Sequence, residues 1–236
     1  MRLLGMVGGA SWVSTVEYYR HVNSLVNERA GGVEAANIVL WSLNFGDLQR
    51  NNIANDAAAT FDLILEGCRK IESAGAEAII ICANSMHRYV EELQPQLNVP
   101  IIDLRLAVAQ EAERLGLKRL LLLGTRPTME DGFCREFLEN HGIEVLIPNA
   151  SDRELIHRTI FEEMGKGLFR IATRQSYREI INRGIADGAE GVIMGCTEIP
   201  ILLEGEKQPV PFLDSTFLHS RAAVEFILSG RTDESL

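Results

Sequence analysis

An alternation of two patterns narrows the fold choice more than any other feature of this 236-residue chain. Short apolar runs ("RLLGMV", "NIVLWS", "EAIIIC", "VPIIDL", "RLLLLG", "IEVLIP", "GVIMG", "VPFL") alternate with longer stretches such as "ATFDLILEGCRKIESAG" and "QSYREIINRGIADG". In the longer stretches apolar residues recur three and four positions apart, the period of a helix with one buried face. The short runs show no polar alternation, as expected of strands buried on both faces. Strands and helices in strict alternation predict an α/β fold with parallel sheets covered by helices.

The pattern also repeats. "GAEAIIICANSMH", Gly75 to His87, has a partner in "GAEGVIMGCTEIP", Gly188 to Pro200; aligned, Ala83 falls opposite Cys196. "RLLGMVGG" near the start likewise resembles "RLLLLGTR" from Arg119. Two similar Rossmann-like or flavodoxin-like domains related by pseudo-two-fold symmetry are expected. No Pro/Gly/Ser-rich linker separates them, so the boundary is placed at a short crossover near "LNVPIIDL". Residues 1–99 with 210–236 are assigned to the first domain and 100–209 to the second, with the last helix, "STFLHSRAAVEFILSG", packing back on the first half. Hydrophobic residues at 46% and charged residues at 24% suit a compact globule.

Charge excludes some partners. The 33 acidic residues outnumber 23 basic ones for a net charge of -10, and no run of Lys or Arg offers a stripe for a phosphate backbone. Nucleic acid is therefore not an expected partner. No segment reaches the about 18 uninterrupted apolar residues of a spanning helix, and "MRLLGMVGGASW" is too short and strand-like for a secretory signal. The chain is read as cytoplasmic, without a membrane partner. Its cysteines, Cys68, Cys82, Cys134 and Cys196, form no C-x-x-C and have no His at metal-ligand spacing, so reduced thiols and no metal are expected.

In sheets of this kind the ligand sits beyond the carboxyl ends of the strands. The residues there are Gly8 to Ser11, Ala83 to Ser85, Gly124, Thr125 and Thr128, and Gly195 to Glu198. They are small and polar, which suits a carboxylate or another small anion. "GMVGGAS" does not match the G-x-G-x-x-G dinucleotide loop, and no P-loop, nucleophile elbow or zincin motif is present. Cys196 follows a strand and precedes a helix start, where a thiolate is stabilised and its pKa is expected to fall. Cys68 and Cys134 sit within helical patterns and read as structural. His87 and His219 read as hydrogen-bonded residues, Trp12 and Trp41 as packing residues, with Trp12 also able to wall a pocket. Asp47, Glu198 and Asp214 follow strands and read as helix caps or participants in chemistry.

Taken in order, "GMVGGASWVSTVEYYRHVN", "ICANSMH", "LLGTRPTME" and "GVIMGCTEIPILL" resemble the aspartate/glutamate racemase family, in particular its broad-specificity amino-acid racemases that work without pyridoxal phosphate. The resemblance implies two α/β domains with the active site in the cleft between them, a homodimer and no cofactor. It implies that two thiols flank the substrate α-carbon, one taking the proton and the other returning it from the opposite face. Cys196 matches the second thiol. The first position holds Ala83. Cys82, one residue earlier, should point to the other face of the strand, which leaves it only as a displaced catalyst. Ser11, Asn52, Ala83, Asn84, Ser85, Thr125, Thr128, Thr197 and Glu198 match substrate-binding positions. Ala10 replaces a Met common in relatives, and "MGKG" at Met164 to Gly167 lacks a Lys that aspartate-specific members carry one position before Lys166.

Three activities fit these residues. The first is an amino-acid racemase or epimerase acting on Asp, Glu or a related acid. The second is one-thiol chemistry like that of arylmalonate-type decarboxylases, which resemble this family. The third is a silent binder of a small acidic metabolite.

Overall fold

The computed structural model describes residues 1–206 and 209–229. The chain forms two compact units: Met1–Asp103 together with the chain from His219, and Leu104–Leu218. Residues 230–236, assigned from sequence to the first domain, lie outside the described residues.

Unit 1 opens with β1 (Leu4–Gly8), α1 (Trp12–Ala30), β2 (Ile38–Ser42), α2 (Phe45–Ile53), α3 (Ala57–Ser73) and β3 (Ala78–Ile81). A 3-10 turn (Asn84–Tyr89) and the short α4 (Val90–Leu93) follow. The three strands are parallel in the order β2-β1-β3. Every residue of β1 and β3 is buried, as their unbroken apolar runs require. α3 turns Ile64, Leu65, Cys68 and Ile71 toward Val7, Ile79 and Ile81. Spacings of three and four put those residues on one helical stripe. Ser11, Asn44 and Asp56 accept main-chain N–H bonds at the starts of α1, α2 and α3, each supplying an acceptor that the first helical turn lacks.

Unit 2 contains α5 (Leu104–Leu115), β4 (Arg119–Leu123), α6 (Arg126–Glu130), α7 (Phe133–Asn140), β5 (Glu144–Leu146) and α8 (Ala150–Glu162). It continues through α9 (Ile171–Ala186), β6 (Gly191–Met194), α10 (Glu198–Leu202) and β7 (Phe212–Asp214). The last helix, α11 (Ser215–Leu228), begins in unit 2 and carries the chain back into unit 1. The sheet is parallel in the order β5-β4-β6-β7. Its first strand is central and its next two lie on either side, the arrangement of unit 1 with one strand added. The repeat seen in the sequence is thus a repeat of connectivity.

Two expectations need correction. "VPIIDL" forms no strand, only a single bridge of Ile101 to Ile79. Trp12 is 72% exposed and does not pack into the core. Trp41 is half-exposed too, seated over Gly67, where a Cβ would come within 2.8 Å of its ring, and covered by the Lys70 ammonium 4.0 Å from the ring centroid.

Candidate functional site

In unit 1 the strands end side by side, with Val7 of β1 opposite both Trp41 and Ile81. β1 runs into Gly9, whose φ of +89 favours glycine and whose missing Cβ would lie 2.0 Å from the Leu43 carbonyl oxygen. The Gly9 N–H donates to Thr15 Oγ1 at 2.9 Å, and that hydroxyl donates to the Ser11 carbonyl. Ser11 Oγ accepts from the Ser14 N–H at 3.3 Å, so its hydroxyl serves as the cap of α1. β3 continues through Cys82, whose N–H donates to the Val7 carbonyl, into Ala83, Asn84 and Ser85.

Ala83 packs with Ala10 and Leu43 against the cluster that contains Ile79 and Ile81. Alternation along the strand puts Cys82 on the other face. Cys82 is 1% exposed, and burial pushes its thiol far above the ordinary cysteine range. Asn84 stands out. Both its amide oxygen and its amide nitrogen are buried without a hydrogen-bond partner among the described residues. A buried amide left unpaired costs about 1–3 kcal/mol, so an orphan at a strand end is a reason to expect a ligand. The Ser85 carbonyl accepts from Arg88 Nε at 3.0 Å. Asn52 lies exposed on α2, and no described hydrogen bond ties its side chain to the strand-end turns.

In unit 2 the ends of β4 and β6 are joined by the Gly195 N–H, which donates to the Leu123 carbonyl at 2.7 Å. After β4 the hydroxyls of Thr125 and buried Thr128 lie 3.1 Å apart. After β6 stands Cys196, partly exposed, followed by buried Thr197 and Glu198. Cys196 Sγ donates to Glu198 Oε2 at 2.8 Å, and Thr197 Oγ1 donates to the same oxygen at 2.9 Å. One buried carboxylate oxygen therefore collects both protons of the turn.

This contact reverses the expectation for the thiol. The main-chain N–H groups of Thr197 and Glu198 do favour the thiolate, as a helix start should. Burial outweighs them, and the Glu198 charge and hydrogen bond add to it, so the Cys196 pKa stands well above the ordinary value. The resting group is a thiol. Tyr177, on α9, is a neighbour that sequence reasoning missed: it is fully buried, its hydroxyl lies 3.2 Å from Thr159 Oγ1, and its pKa is pushed up by burial and further by the Glu198 charge. An aromatic residue at a core position of a helix reads as packing, and nothing in "QSYREIINRG" distinguishes it.

The other singled-out residues have structural places. Cys68 and Cys134 are buried, and burial pushes the Cys68 thiol up to about 12. Asp47 pairs with Arg50 within α2, while Asp214 Oδ1 accepts the N–H groups of Thr216 and Phe217 at the start of α11. His87 and His219 are both fully buried and hydrogen-bonded. Among the described residues no cluster of His, Cys, Asp or Glu is placed to hold a metal ion, and no helix is long and apolar enough to cross a membrane.

A family model described as Asp/Glu/Hydantoin racemase matches residues 7–223, including both strand-end turns. The chain belongs to the Asp/Glu/hydantoin racemase family. It is 37% identical to a solved protein of Yersinia pestis assigned to the Asp/Glu racemases, with a TM-score of 0.91 over 97% of this chain and 100% of that one. An aspartate racemase homologue from Pyrococcus horikoshii OT3 is 31% identical, with a TM-score of 0.86 over 96% and 99% of the two chains. The broad specificity amino-acid racemase RacX of Bacillus subtilis is 23% identical over 173 residues, 70% of this chain and 71% of that one. Membership of the racemase family places the chain among isomerases and agrees with its two parallel α/β sheets.

Proposed function

We propose that this racemase-family protein moves the α-proton of an amino acid, Asp, Glu or a related acid, by cofactor-independent thiol chemistry at Cys196. The observation that carries the reading is the hydrogen bond from Cys196 Sγ to Glu198 Oε2 at 2.8 Å. A thiol with a raised pKa is a poor base until its proton leaves. In this reading Glu198 takes that proton across the hydrogen bond; the thiolate so formed removes the substrate α-proton, and the electron pair passes into the carboxylate as an enediolate. Return of a proton to carbon completes the exchange. Asn84, Ser85 and Thr197 are assigned to the substrate carboxylate, where hydrogen-bond donors offset the charge that develops on oxygen. The orphaned amide of Asn84 supports this role. Ser11, Asn52, Thr125 and Thr128 are proposed to line the same substrate. A cytoplasmic homodimer is proposed with it.

Ala83 favours a second reading. A methyl group has no proton to give, and it packs against an apolar cluster. With Cys196 as the one acid–base thiol, deprotonation and reprotonation occur on one face, giving α-proton exchange with retained configuration or protonation of an enediolate left by decarboxylation. Incubation with L- and D-Asp and L- and D-Glu in D₂O separates the readings. Deuterium gain with inversion supports the racemase, deuterium gain with retention supports one-sided chemistry, and binding without exchange leaves a silent binder. Cys196→Ser is expected to lower exchange by about 10²–10⁴-fold, the usual worth of a positioned acid–base group. Exchange that survives in Cys196→Ala would remove the thiol from the mechanism.

A further inference from the structure

The chain passes between its two compact units twice, from Asp103 to Leu104 and from Leu218 to His219. On the unit 1 side a hydrogen bond between His219 Nε2 and the Ile102 carbonyl at 2.7 Å joins the two crossings. A carbonyl can only accept, so Nε2 carries the proton and Nδ1 is left as an acceptor. Tyr18 OH, 2.9 Å from Nδ1, donates to it. The His219 ring meets the His87 ring edge to face, with centroids 5.2 Å apart and planes at 74°. His87 Nδ1 lies 3.1 Å from the Ala83 carbonyl and by the same argument donates to it. That carbonyl also accepts the Met86 N–H, which closes the turn bearing Asn84.

Tyr18, His87 and His219 are 1%, 0% and 0% exposed. Burying two imidazoles and a phenol costs desolvation that apolar side chains of similar size would not incur. Each histidine donates to a main-chain carbonyl, His219 at the paired crossings and His87 at the Ala83 turn. Burial keeps His219 neutral, which preserves its donor and acceptor assignment across the ordinary pH range.

We propose that His219 and His87 are positioning residues that couple the paired chain crossings to the Ala83–Asn84 turn. The placement of the Asn84 amide then depends on the geometry of the crossings as well as on its own strand. The functional meaning rests on Asn84 as a substrate-binding residue; the coupling itself does not.

The test is amide hydrogen exchange of the full chain, followed by mass spectrometry, in four variants. His219→Phe keeps a ring and deletes both hydrogen bonds. Exchange in the 83–89 segment is expected to rise roughly tenfold, through the ring contact of His219 with His87, because local opening follows loss of its supports. His87→Leu should do the same. His87→Asn should restore slow exchange, since its side-chain amide nitrogen occupies the position of Nδ1 and can donate to the Ala83 carbonyl. Faster exchange confined to 99–106, with 83–89 at the wild-type rate, would overturn the coupling. If His219→Phe does not fold, Tyr18→Phe removes a single hydroxyl, and about threefold faster exchange at 83–89 is expected; no change there would also overturn it. In the D₂O assay His219→Phe should lower kcat while the rate of Cys196 alkylation stays at the wild-type value. Absence of α-proton exchange in the wild-type protein would dispose of the functional reading and leave the coupling to be decided by the amides.

Discussion

Glu198 acts on Cys196 in two opposed ways. Its charge keeps the proton on sulfur, yet its oxygen is where that proton would go. Glu198→Gln separates these effects. Without the charge, the thiol pKa should fall, and alkylation by iodoacetamide near pH 8 should speed up by about tenfold for one unit of pKa. Turnover should nevertheless fall by about 10²-fold, because the amide cannot accept the proton. A merely structural Glu198 predicts no such divergence; if alkylation and turnover fall together in a folded variant, the proposed role is wrong. Cys196 itself was legible in the sequence from its place between a strand and a helix start. Its protonation state was not, because that depends on Glu198 folding back over the thiol and on burial set by the folded chain. Ala83 was legible as the counterpart of Cys196 in the repeat, and the structure adds that it packs against the apolar cluster containing Ile79 and Ile81. Ala83→Cys should add or raise inversion in the D₂O assay; an unchanged rate in a folded, ligand-binding variant would count against a two-sided pocket.

At the scale of elements, unbroken apolar runs identified the strands well, and "VPIIDL" shows where that signal fails. Its composition is that of a strand, but Pro100 has no N–H and the side chain of Gln94 takes the place of a ladder. Gln94 Oε1 accepts from the Ile101 N–H at 2.8 Å and Gln94 Nε2 donates to the Val99 carbonyl at 3.1 Å. Main-chain pairing with Ile79 then reduces to two bonds, Ile79 N–H to Pro100 and Ile102 N–H to Ile79. A glutamine seven residues upstream gives no local sign of this. Gln94→Leu keeps the bulk and deletes both bonds, and should lower stability by about 1–2 kcal/mol, two partly buried hydrogen bonds at their usual net worth. Chemical denaturation measures it, and an unchanged midpoint would mean that water or a rearranged 99–101 segment replaces the glutamine fully. The internal repeat was legible for the same reason as the strands: both copies place an apolar run directly before the strand-end turn. The topology adds β7, whose counterpart in the first half is only the single parallel bridge of Ile101 to Ile79.

At the scale of the whole molecule, buried titratable groups bound stability on both sides of neutrality. His219 has its pKa lowered from 6.5 to about 3, with burial as the main cause and the neighbouring His87 as the next. Between those values the unfolded chain binds a proton that the folded chain refuses. Its contribution is therefore complete above pH 6.5 and is lost as pH falls below that, at up to about 1.4 kcal/mol per pH unit for one proton. The buried thiols act in the opposite direction. Cys68 is raised from 9.0 to about 12, and Cys82 and Cys196 are raised as well. Above pH 9 the unfolded chain releases protons that the folded chain keeps, so stability falls as pH rises through 9. Melting temperature should show a plateau between about pH 6.5 and 9 with a loss on either side. The many surface carboxylates of this acidic chain add their own acid limb, so the decisive quantity is a difference between proteins. His219→Gln keeps a side-chain donor without a titrating ring, and its melting temperature, compared with wild type at pH 7.5 and 5.5, should fall less on acidification. Because His219, Cys68 and Cys82 belong to unit 1 and Cys196 to unit 2, a two-step melt should place the acid effect of His219 in one step alone. An equal acid loss in wild type and His219→Gln would show that the buried imidazole is not what limits the fold at low pH.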